Sequence, residues 1–139
     1  MVAETKQQQQ HEEEQQLPPN IRYISEAQII YNNPAYEVRE LTFPDPVGKT
    51  VWSMTICKLH PSSQTRGHSN PELSEFYTFL RGEGLVMIKN MAYFAKPPMC
   101  ISVNPDEWIK IINTSSSTEL VFQTYLNGRY KRPDVSRKS

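Results

Sequence analysis

The sequence predicts an all-β fold built around one core, and three observations carry that expectation. Six short runs rich in β-branched and aromatic residues recur between residues 50 and 126, each bounded by Pro, Gly, Asn or Ser. No apolar stretch with a helical period longer than about ten residues follows residue 40. The length, 139 residues, corresponds to about one domain at the usual ~100–200 residues each. A β-sandwich or barrel is the architecture such strands build.

Taken in order, residues 1–17 are a polar run with Gln7 to Gln10, His11 and Glu12 to Glu14, too poor in apolar groups to offset the ordering entropy. A disordered N-terminal tail is expected there. Residues 25–31 (SEAQIIY) read as a helix, with Ser25 as N-cap and Gln28 at capping-box spacing, although Ile29, Ile30 and Tyr31 equally suit an edge strand. Strands are expected at 50–59, 74–80, 84–88, 99–103, 108–112 and 120–126, with turns at 60–64, 81–84, 104–107 and 113–118. Residues 129–139 form a basic tail, with Arg129, Lys131, Arg132, Arg137 and Lys138 against Asp134. The expected organisation is a tail over 1–17, a barrel domain over 18–128 and a second tail over 129–139.

Composition narrows the function. Fifteen basic and fifteen acidic side chains cancel, which removes the bulk electrostatic case for nucleic acid or an anionic membrane. The apolar runs fall short of the ~20 residues of a membrane span and of the ~7–15 of a signal peptide, so a cytoplasmic protein is expected. Cys57 and Cys100 lie far apart without a CxxC or a Cys/His ladder, and both are read as buried, inert thiols. No nucleophile elbow or phosphate-binding glycine loop is present. Trp52 and Trp108, in phase with Met54 and Ile112, are expected on an outer sheet face covered by a second subunit or by the chain's own packing, hence a homodimer expectation. Eleven prolines against five glycines mark a chain with many stops and few glycine turns.

The informative segment is TRGHSNPELSEFYTFLRGEG, residues 65–84, in which His68, Asn70, Glu75 and Gly82 have the order His-x-Asn-x4-Glu-x6-Gly. This resembles the first motif of the cupin superfamily, His-x-His, three or four residues, Glu, six residues, Gly. The resemblance spans about residues 50–126 and implies a single jelly-roll β-barrel. In the family, two histidines and the glutamate of this motif join a later histidine to hold iron, manganese, nickel or zinc, a donor set of the kind such metals favour. Here Asn70 stands at the second histidine, and counting back from Asn113 puts Ile109 at the later one. His68, Glu75, Gly82 and Asn113 are kept; Ser62, Pro98 and Asp106 stand where the family usually has glycine, and Asn104 where it has proline. A narrower likeness, through Thr65, Gly67, His68, Glu75 and Tyr77, is to archaeal metal-dependent phosphoglucose isomerases of the cupin class.

Parity places Glu75, Tyr77 and Phe79 on one strand face, so if the aromatics are core the carboxylate points inward and needs a partner. His68 or Asn70 is the candidate, and His68 is read at a pocket mouth, with a surface imidazole as the alternative. Ile109 and Ile111 make the facing wall apolar. The expected ligand-binding residues are thus His68, Asn70, Glu75, Tyr77 and Ile109, with no catalytic residue, no cofactor and a divalent metal disfavoured. The expected partner is a small molecule, sugar-like or another metabolite, held by a non-catalytic binding or regulatory module. Two other readings stay open. One is a metal-dependent enzyme such as a sugar-phosphate isomerase or small dioxygenase, which needs a further ligand such as His60 or Tyr77; the other is a dimeric scaffold.

Overall fold

A computed structural model describes residues 16–43, 48 and 52–128. The expected tails at 1–17 and 129–139 lie outside the described residues, except for Gln16 and Leu17, as do Thr50 and Val51. The described residues form nine strands: β1 (Ile29–Asn32), β2 (Tyr36–Glu40), β3 (Ser53–Leu59), β4 (Glu75–Arg81), β5 (Gly84–Ile88), β6 (Met91–Ala95), β7 (Met99–Val103), β8 (Ile109–Asn113) and β9 (Leu120–Leu126). All pair antiparallel, in a six-stranded sheet ordered β1-β2-β3-β9-β4-β7 and a three-stranded sheet ordered β6-β5-β8. Bridges from Gln64 to Ile112 and from His68 to Ile109 lay residues 64–68 along β8. None of the described helices is long and apolar enough to cross a membrane.

Period-2 alternation builds the core between these sheets. In β4, Glu75, Tyr77 and Phe79 turn inward and are buried while Phe76, Thr78 and Leu80 are exposed, as the parity reading requires. Phe79 packs on Phe122 at 5.4 Å and Tyr77 on Phe122 at 5.9 Å between ring centroids, against Val86, Ile109 and Ile111 of the other sheet.

The six expected strands are all present, and three further segments depart from the reading. The segment 25–31 does not form the expected helix: a 3-10 turn over Ile24–Glu26 leads into β1, the edge strand that was the alternative for Ile29, Ile30 and Tyr31. Its carbonyls are taken from outside: the Arg39 guanidinium donates to Ser25 O at 2.7 Å and Ala27 O at 3.1 Å, and Glu40 N–H donates to Gln28 O at 2.9 Å. Sheet pairing therefore overrides the local capping signal. Strands β2 and β6 are not among the expected runs; β2 is five residues long, with Tyr36 and Val38 inward and the Glu37–Arg39 ion pair on its other face, and β6 is an edge strand whose residues 91–94 are exposed. Cys57 is buried, but Cys100 is exposed on edge strand β7, because Met99, Ile101 and Val103 take its inner face. Trp52 stacks on Tyr125 at 5.9 Å, and Tyr125 contacts Phe76 at 5.7 Å, across the outer face of the larger sheet. Trp108 is accounted for within the chain, its indole lying directly on Gly67.

Two of the positions where the cupin pattern has glycine keep a glycine-like backbone without glycine. Ser62 has φ 59° and Asp106 φ 67°, in the left-handed region, while Pro98 follows a cis peptide bond. A left-handed φ costs an L-residue about 1–2 kcal/mol, against which glycine's extra chain entropy costs roughly 0.5–1 kcal/mol. Ser62→Gly is therefore expected to stabilise the barrel by about 0.5–1 kcal/mol, raising its melting temperature by a few degrees. A fall on thermal unfolding would show that the Ser62 side chain contributes more than its backbone costs.

Asn113 ties the loop after β8 to the start of the six-stranded sheet's connections. It is 2% exposed; its Nδ2 donates to the carbonyls of Leu59 (3.0 Å), His60 (3.1 Å) and Thr118 (2.9 Å), and its Oδ1 accepts from Ser115 N–H at 2.9 Å. Ser115 Oγ in turn accepts from Thr118 N–H at 3.0 Å, which closes the 113–118 turn.

Candidate functional site

The inward residues of β3, β4, β8 and β9, with those of β2 and residues 65–68, enclose a cavity of about 70 Å³. Its wall is largely apolar, from Val38, Cys57, Ile109, Ile111, Phe122 and Leu126. Burial pushes the Cys57 thiol pKa far up, with the Glu37 carboxylate adding to the effect, so the thiol stays protonated and unreactive.

Set in this wall is one polar knot. The His68 ring lies with Nε2 at 2.8 Å from Glu75 Oε1 and 3.1 Å from Oε2, and Tyr77 OH donates to Oε1 at 3.0 Å. Glu75 is 8% exposed and Tyr77 4%. A carboxylate has only acceptors, so the geometry places a proton on Nε2. His68 Nδ1 is buried without a hydrogen-bond partner among the described residues.

Local sequence explains why these groups meet. Gly67 lets the chain pass beneath the Trp108 ring, where a Cβ would overlap the indole. The backbone of His68 then pairs with Ile109, N–H to O at 3.0 Å in one direction and 2.8 Å in the other. This register turns the imidazole toward Glu75 on the opposite sheet, while Thr65 Oγ1 accepts from Ile111 N–H at 2.9 Å to hold the preceding residues down.

Of the residues expected to form the site, His68, Glu75, Tyr77 and Ile109 all line the cavity, and the His68–Glu75 alternative is the contact formed. Asn70 is not brought to them. Its Oδ1 accepts from Glu72 and Leu73 N–H, both at 3.0 Å, and its carbonyl accepts from Asp106 N–H at 2.7 Å, so it caps a turn. The Asn-Pro pair at 70–71 carried that turn signal. His60, considered as a further ligand, pairs through Nδ1 with Glu119 Oε2 at 3.1 Å, and neither residue lines the cavity. The sequence reading missed Thr55 and Thr124, whose hydroxyls bond to each other in the cavity wall; both lie on the inner face of paired strands, at positions where hydroxyl side chains suit a strand as well as a site.

The His, Cys, Asp and Glu side chains on the cavity are His68, Glu75 and Cys57, and Tyr77, the other further ligand considered, donates its hydroxyl proton to Glu75 in a hydrogen bond. Among the described residues no three His, Cys, Asp or Glu side chains are grouped so as to hold a metal ion.

No family model matches the chain, and no curated protein does. Solved structures do. A predicted oxalate decarboxylase from Thermotoga maritima is similar with a TM-score of 0.67 at 20% identity, over 76% of this chain and 96% of that one. An RmlC-like cupin from Shewanella frigidimarina gives 0.66 at 10% identity, over 79% and 91% of the two chains. A cupin 2 conserved barrel domain protein from Salinispora arenicola gives 0.63 at 13%, over 76% and 86%. Identities this low speak to architecture alone. The two antiparallel sheets, their strand order and these neighbours agree: the chain folds as a cupin jelly-roll β-barrel.

Proposed function

We propose that this barrel is a non-catalytic binding or regulatory module for a small metabolite, with no resident transition metal. The observation that carries the reading is the His68–Glu75 contact: the two metal-type donors kept from the cupin motif are hydrogen-bonded to each other. The residues present do not fit a metal. A transition metal held by protein nitrogen and oxygen asks for three or more ligands. Asn70 is engaged in a turn, Ile109 has no donor atom, His60 is paired away from the cavity, and no three His, Cys, Asp or Glu side chains are grouped among the described residues.

The same knot supplies what a binding site needs, a few placed polar groups in an apolar cavity. At about 70 Å³ the cavity is roughly half the ~150 Å³ that accommodates benzene, so a compact ligand or one end of a larger one would enter it. A ligand-observed NMR screen of compact metabolites against the full chain tests this, run with and without a chelator. Saturable binding that the chelator leaves unchanged is expected. Binding that disappears on chelation and returns with added metal would contradict the reading and favour the metal-dependent enzyme.

A further inference from the structure

We propose that the cavity selects an uncharged hydrogen-bond donor over an anion of the same shape; the inference rests on the binding reading above and names its ligand class. Two independent features of the lining lead there. The first is charge. No Lys or Arg lines the cavity among the described residues, and Arg66, beside Thr65 and Gly67 in the chain, is exposed. The ionisable pair facing the cavity is His68 with Glu75. With the ring protonated the ionised pair is neutral, and with the ring neutral it carries the charge of the carboxylate. In neither state does it offer an anion a net positive partner, and in a desolvated cavity an unpaired second anion is strongly disfavoured.

The second feature is hydrogen-bond polarity. Glu75 accepts from His68 and Tyr77, whereas a carboxylate has about four acceptor positions, so it has capacity for a further donor. A ligand O–H or N–H satisfies that capacity. A carboxylate ligand has no proton to give and would set its oxygens against those of Glu75. The apolar wall of Val38, Ile109, Ile111, Phe122 and Leu126 then receives the ligand's hydrocarbon part.

Propionamide and propionate form a suitable probe pair: nearly the same shape, one neutral with two N–H donors, the other an acceptor-only anion. The full chain, isotopically labelled, is titrated with each at neutral pH while the His68 and Tyr77 ring resonances are followed. Propionamide is expected to shift both saturably, with propionate weaker by about tenfold or more. Propionate binding as tightly as the amide would overturn the selectivity and leave the binding reading standing. If neither compound shifts the rings, the binding reading falls and this inference with it. Glu75→Gln, checked for an intact melting transition, should narrow the preference to about threefold or less, and an unchanged preference would overturn the role given to the Glu75 charge.

Discussion

Replacing Asn113 by alanine is expected to destabilise the barrel by about 3–5 kcal/mol, which would lower its melting temperature by roughly 10 °C or more. Alanine leaves the buried Leu59 carbonyl and the partly buried carbonyls of His60 and Thr118 without the Nδ2 donor, and the buried Ser115 N–H without its acceptor. Each buried group left unsatisfied costs about 1–3 kcal/mol, partly relieved where water reaches the loop. Asn113→Asp is the sharper comparison, because it keeps an acceptor for Ser115 and sets a second oxygen against three carbonyls. It should be no more stable than the alanine variant. Thermal and denaturant unfolding measure both, and a loss below about 1 kcal/mol would show that the three carbonyl contacts do not hold the loop.

The second large effect is expected at Gly82. This residue carries φ 101° at the corner where the chain leaves β4 in one sheet and enters β5 in the other. A Cβ there would lie 2.5 Å from the Glu119 carbonyl oxygen and 2.9 Å from Leu120 Cα, both backbone atoms of the strand that begins alongside. Gly82→Ala thus combines the left-handed cost of about 1–2 kcal/mol with an overpacking cost of about 1–3 kcal/mol, since backbone cannot step aside as a flexible side chain can. A drop of about 3 kcal/mol or more in unfolding free energy is expected. A variant as stable as the parent would mean the corner rearranges freely, and the fold would not depend on this glycine.

These two residues and the His68–Glu75 pair divide the cupin-like motif by what each position does. Gly82 and Asn113, both kept, hold the corner and the loop of the barrel. Asn70 and Ile109 stand where the pattern has metal-binding histidines, and they serve a turn and the apolar wall. Ser62 and Asp106, at positions where the resembled motif has glycine, take the left-handed backbone that glycine favours.

How much was legible follows from the same physics. The central strands were readable because burial on one face imposes alternation, as in β4, where the inward side of EFYTFLR is Glu, Tyr and Phe. That parity also placed Glu75 inside and demanded a partner for it. Edge strands escape this logic, as β6 does in exposing residues 91–94, whereas interior β2 alternates (Tyr36 and Val38 in, Glu37 and Arg39 out) over only five residues. The chain around residue 25 carries a helix-start pattern that only a distant arginine and a sheet edge overrule. Asn70 misled for a different reason, since motif spacing placed it at a ligand position while its place before Pro71 made it a turn cap. Sequence spacing reports which residues share a stretch of chain; it does not report which backbone groups a polar side chain will find first.

The central claim is that His68 and Glu75 hydrogen-bond to each other and do not hold a metal. Elemental analysis of the full chain, produced in metal-supplemented medium and purified without chelator, tests it most directly. The account predicts under about 0.1 equivalent of iron, manganese, nickel or zinc per chain. About one equivalent per chain, retained through gel filtration and lost in His68→Ala, would contradict it.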